Sequence, residues 1–208
     1  MALATATATI ANFPNGADNT QRRQLAFGLT AIGASALTYT AGGIRINFTP
    51  LSSIKVQPVN LLPLWADFKT ESGSGYVYVF NPLGPAITNV ALTANVVTIT
   101  AANNLVSGDV VIPNSVVTAT FLNGVKLTVA TASASSFTAA LVHGNYVSAS
   151  DSGFAPPFSY ASGLPFQGNL MVFQSAGSAA PLAQISTAAV PAGVSGDTIG
   201  FRAEFLRV

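Results

Sequence analysis

The chain has 208 residues, 7% charged and 50% hydrophobic, with no cysteine and a formal net charge of +1. That balance excludes polyanion binding, which needs many Lys and Arg to displace counterions, and the missing thiols exclude a disulfide framework, a cysteine nucleophile and a thiolate zinc site. Thr, Gly and Pro interrupt every apolar run before it reaches the roughly 20 residues of a membrane-spanning helix, so a soluble chain with neither nucleic-acid nor membrane partners is expected.

Residues 1–24 open on Ala-Thr repeats, followed by Phe13-Pro14-Asn15-Gly16 and Gln21-Arg22-Arg23-Gln24, and read as an extended N-terminal arm. The paired arginines before Leu25–Ile32 and the small residues Ala34-Ser35-Ala36 also fit an export signal. Leu25–Ile32 alternates with Gly and Thr in the manner of a strand, and the strand reading is preferred. Ile44–Phe48 follows the turn pair Gly42-Gly43 and puts Ile44, Ile46 and Phe48 on one face. Further strands are expected at Leu64–Lys69 and at Tyr76–Phe80, which ends at Asn81-Pro82.

Between Pro85 and Phe154 the composition shifts to Ala, Val, Thr and Ser, and the charged residues are Asp109, Lys126 and Asp151. Strands are predicted at Val96–Ala101, Asp109–Pro113, Val116–Phe121, Lys126–Thr131 and Ser136–Leu141, with Asn123-Gly124 as a turn. Proline-rich borders suit a small domain inserted into a surface loop of a host. Strands at Asn169–Gln174, Leu182–Thr187 and Thr198–Leu206 complete the pattern. The fold class is therefore all-β: a β-sandwich or jelly-roll-like host (25–84 and 155–208), an inserted small β-barrel-like domain (85–154) and the arm (1–24).

Chemistry-bearing groups are few. His143, the only imidazole, has no residues spaced around it for a metal site and reads as a solvated loop histidine. No Gly-x-Ser-x-Gly elbow occurs. Asp67 and Glu71, with Trp65 beside them as a stacking platform, could flank a sugar. Residues four apart across a turn need not meet, and an exposed strand end is the simpler account. Asn47-Phe48-Thr49 matches a glycosylation acceptor but precedes Pro50 within a predicted strand, and Gly193–Asp197 lacks the Lys of a phosphate loop. No catalytic residue, cofactor or metal site is expected.

Asn12-Phe13-Pro14 leading to Thr20-Gln21-Arg22, then Gly42–Phe48 and Gly75–Asn81, with Gly168–Gln174, Pro181–Gln184 and Thr198–Ala203, resembles a family of tailed-bacteriophage head proteins, the capsid decoration or cement proteins. The inserted segment is similar to a small β module of phage structural proteins, on Asn95–Thr100, Ser107–Val111, Phe121–Gly124 and Ser136–Ala139. Members often have a His-Gly pair before the Gly-Asp turn, where this chain has Asn103-Asn104-Leu105. The resemblance implies a non-enzymatic virion protein on the capsid outer surface. Its partners would be the major capsid protein and its own copies, as a trimer or else a dimer. The arm would then lie along coat subunits, with Phe13 as an apolar anchor and Arg22 and Arg23 pairing with coat carboxylates. The alternative is a tail- or fibre-associated or glycan-binding adhesin module using Trp65 and neighbouring tyrosines.

Overall fold

The computed structural model describes residues 3–12, 23–32, 37–49, 62–175 and 181–206. The early strands are β1 (Thr5–Asn12), β2 (Arg23–Ile32), β3 (Thr38–Tyr39), β4 (Ile44–Thr49), β5 (Trp65–Thr70) and β6 (Tyr76–Asn81). Next come β7 (Ile87–Thr93), β8 (Val96–Ala101), β9 (Val110–Val111), β10 (Leu127–Ala132), β11 (Ser136–Ala140), β12 (Tyr146–Ser150) and β13 (Pro157–Ser159). The last are β14 (Asn169–Ser175), β15 (Leu182–Gln184), β16 (Ala188–Ala189), the short helix α1 (Ala192–Ser195) and β17 (Ile199–Leu206). The protein is all-β, and no described helix is long and apolar enough to cross a membrane. Two compact units emerge: a host of residues 1–39, 43–82 and 167–208, and a guest of 40–42 and 83–166.

The host is built on an eight-stranded sheet in the order β15-β14-β4-β1-β2-β17-β5-β6, in which β14 also pairs with β6, together with a two-stranded sheet of β16 and β3. Strand β14 therefore has β4 on one side, through Leu170 opposite Ile44, and β6 on the other, through Leu170 opposite Phe80. The sheet closes into a barrel, which removes the open edges that invite aggregation. Its interior is filled by Phe48, which meets Phe201 and Phe205 edge-on at 5.4 Å between ring centroids, with Phe68 and Tyr78 beside them. In the same core stand Ala4, just before β1, and Ala6 and Ala8 of β1, all buried. The expected arm is thus, over Thr5–Asn12, an interior strand held between β4 and β2. Its Ala-Thr alternation puts alanines where the phenylalanines leave little room and the exposed Thr5, Thr7 and Thr9 on the other face. Gly28 is a further accommodation, since the Phe201 ring lies 2.7 Å from where its Cβ would be.

The guest enters and leaves between β6 and β14, whose ends Asn81 and Asn169 are cross-strand partners. In the host those strands form a hairpin, so the insertion occupies the site of a turn, where paired ends make insertion cheap. The guest sheet runs β12-β7-β8-β11-β10-β9-β13 around a core of Val90, Leu92, Val97, Ile99, Leu122, Leu127, Val129 and Phe137. Segment 153–155 is hydrogen-bonded to Pro85 and Ile87 on one side and Asn114 on the other, which makes the module barrel-like. Gly153 adopts φ +124°, and a Cβ there would lie 2.8 Å from two carbonyl oxygens, so only glycine fits.

The predicted strand at Val116–Phe121 is instead an irregular segment running into a 3-10 turn, Thr120–Leu122. The N–H groups of Val117, Thr118 and Ala119 donate to the Asp151 carboxylate, so they have no ladder to join.

Two outcomes are expected. Phe48→Ala should cost about 3–5 kcal/mol in urea unfolding, because its ring stands at the centre of the host core. Replacing residues 83–166 by an Asn-Gly turn should leave a host that still unfolds cooperatively, read by near-ultraviolet circular dichroism.

Candidate interaction face

In a chain with 7 acidic residues the fate of each carboxylate is informative. Three are consumed in holding the backbone. Asp197, between α1 and β17 and 6% exposed, accepts hydroxyl hydrogen bonds from Thr70 (2.7 Å), Ser74 (2.5 Å), Tyr78 (2.7 Å) and Ser72. It pins the β5–β6 hairpin to the approach to β17. Burial pushes its carboxyl up, but the hydroxyls of Ser72, Ser74, Tyr78 and Thr70 together outweigh that and leave it below the ordinary range. The same burial, with the hydrogen bond to Asp197, pushes the Tyr78 phenol well up. Asp151 accepts backbone N–H bonds from Val117, Thr118, Ala119 and Ser152; desolvation opposes them, yet its carboxyl is also held low. Asp109, fully buried, accepts from the N–H of Val106 (2.9 Å) and Ala161 (2.8 Å) and ties a turn to the segment after β13.

Asp18 lies outside the described residues. The other three, Asp67, Glu71 and Glu204, come together on the outer face of the host barrel. There β2, β17 and β5 run side by side in register, with Leu25, Glu204 and Trp65 in one row, Phe27, Arg202 and Asp67 in the next, and Leu29, Gly200 and Lys69 in the third. The period of two sends Phe201, Ala203 and Phe205 inward and these side chains outward. Trp65 Nε1 donates to Glu204 Oε2, and the Arg202 guanidinium stands 5.1 Å above the Trp65 ring and 6.0 Å from that of Phe27. Such cation–π contacts are worth about 0.5–2 kcal/mol and hold the guanidinium in place.

Gly200 lacks a side chain in the middle of this face. The gap is the floor of an open groove of about 290 Å³, lined by Phe27, Leu29, Asp67, Lys69, Glu71 and Arg202. Glu71 folds over the floor, its Oε1 2.5 Å from where a Cβ of Gly200 would be. Asp67 and Glu71, four apart across the strand end, are thus brought to one groove, with Trp65 adjoining it in the strand. Leu29 is 53% exposed at its edge.

The other residues singled out from sequence fall elsewhere. Phe13 and Arg22 lie outside the described residues, and Arg23 opens β2 opposite Leu206. His143 is exposed in the guest and stacks on Phe121 at 4.0 Å between centroids. Asn47 lies within β4, opposite Thr7 of β1. Asn103, in the guest's departure from the module pattern, closes a local turn through the Ala101 carbonyl and Leu105 N–H. No cluster of three or more potential metal-ligating His, Asp or Glu occurs among the described residues. Sequence reading missed Asp197, whose only local signal was a Gly-Asp pair that ends a turn.

No family model, curated protein or solved structure matches the chain.

Because the folded-state carboxyls of Asp197 and Asp151 lie below their unfolded values, the stabilisation they give is complete above the ordinary range, about pH 4. It is lost as pH falls through the lower folded values. Urea midpoints should therefore hold steady from pH 7 to about 5 and drop below about 4, and Asp197→Asn should flatten that acid limb at the cost of lower stability at pH 7.

Proposed function

We propose that the chain is a structural virion protein that binds the outer surface of a bacteriophage capsid and stabilises it by bridging coat subunits. The observation that carries this reading is the outer face of β2, β17 and β5. Trp, Arg and aromatic groups dominate the energetics of protein interfaces, and here Trp65, Arg202 and Phe27 are stacked on a rigid sheet with the charged side chains gathered round them. A preformed face loses little side-chain entropy on docking.

The sequence resemblance supports the same reading. The runs that carry it in the host, Ile44–Phe48, Tyr76–Phe80, Asn169–Gln174 and Thr198–Ala203, fall on β4, β6, β14 and β17 of one barrel. A binding role of this kind needs breadth of contact and no reactive centre. Ligation to the assembled shell stabilises that state by mass action, and repetition of the site over a symmetric lattice, with trimeric copies of this protein, multiplies modest contacts into durable attachment. Attachment to a glycan as an adhesin module is the second reading, favoured by two carboxylates in a groove next to Trp65.

The test uses shells of the virus that encodes the chain, prepared without it. Adding the protein should raise their resistance to heat and osmotic shock, and electron microscopy should show it at fixed lattice sites. Trp65→Ala and Arg202→Ala should each weaken shell binding about tenfold or more, with unfolding midpoints reported alongside. Equal resistance of bare and decorated shells would sink the proposal, and binding on a glycan array without head binding would favour the second reading.

A further inference from the structure

We infer that the groove over Gly200 receives one cationic side chain, arginine in preference to lysine, from the coat subunit; this rests on the capsid reading. At about 290 Å³ the groove has room for a single side chain, not for a strand or helix. Its lining is divided along its length. Phe27 and exposed Leu29 offer apolar surface for an aliphatic stem, while Asp67 and Glu71 offer carboxylates for the head.

Those two carboxylates are unspent: no hydrogen bond or ion pair engages the Asp67, Lys69 or Glu71 side chain among the described residues. Glu204 is already engaged by Trp65, and Arg202 is held over the Trp65 and Phe27 rings. Across this face the carboxylates of Asp67, Glu71 and Glu204 outnumber the cations of Lys69 and Arg202 by one, an excess that a single incoming cation neutralises. Glu71 folds over the floor from an exposed position, and a guanidinium seated in the groove would meet it with the planar two-pronged hydrogen bond that an ammonium cannot make. A sugar would instead need an open aromatic face, and the Trp65 ring carries Arg202.

Two experiments separate this inference from the reading on which it rests. In the first, the full chain is titrated with arginine amide, lysine amide, glucose and galactose while the Trp65 indole and Gly200 amide resonances are followed. Saturable shifts with arginine amide, weaker with lysine amide and abolished in a folded Gly200→Val variant, are expected. No shift with either amide, or a saturable shift with a sugar alone, overturns the inference whether or not the protein binds shells. In the second, the double variant Asp67→Asn/Glu71→Gln should lose about tenfold in shell affinity, and Lys69→Met should gain severalfold, as removing a competing cation requires. Should the wild-type chain bind shells while all three proteins bind alike, the groove is not the docking point. Should the wild-type chain fail to bind shells at all, the capsid reading falls and the amide titration alone decides the groove.

Discussion

Closure of the host barrel rests on one strand serving two neighbours. β14 begins with Asn169 and Leu170 set between Arg45 and Ile44 of β4 and Asn81 and Phe80 of β6. The double pairing follows from burial. Leu170 is fully inside, flanked by Ile44 and the aromatic side of β6, and a sheet that left it at an edge would expose that row to water. Once the ring is closed each of its strands has a fixed inner and outer face, and a one-residue slip within it would turn part of the phenylalanine core to solvent. The same closure places the ends of β6 and β14 side by side, which is why a whole domain can be spliced between them.

Scarcity of charge gives the molecule its second organising feature. With 7% charged residues, few polar anchors are available, and the structure assigns them sharply. Asp109, Asp151 and Asp197 each gather several donors and stand in for ladders and caps that turns cannot supply for themselves. The described acids left over gather on one outer face around Trp65 and Arg202. The division separates three carboxylates that hold the fold from Asp67 and Glu71 at the groove, with Glu204 engaged by Trp65 beside them, and the barrel keeps this second set in register.

Much of the fold was legible in the chain. β4, β6 and β17 alternate large apolar and polar side chains with a period of two, and that local rule needs no knowledge of neighbours. β1 escaped because alanine is depleted in strands and contributes little hydrophobic signal; Thr5–Asn12 makes sense as a strand only when Phe48, Phe201 and Phe205 are seen filling the space beside it. Val116–Phe121 erred in the opposite direction, since its residues suit a strand and a carboxylate more than thirty positions away takes their N–H groups.

The candidate site was half visible. Trp65, Asp67 and Glu71 are close in sequence and could be singled out, but Arg202, Glu204, Gly200 and Phe27 reach them only through the pairing of β5 and β2 with β17. The sequence by itself determined the all-β class, most of the strands and the presence of an inserted module, because alternation, turn residues and composition act over a few neighbouring positions. Only the tertiary structure decided which strands pair, where the barrel closes and which carboxylates remain unspent, because those outcomes depend on competition among groups far apart in the chain for the same hydrogen bonds and the same buried space.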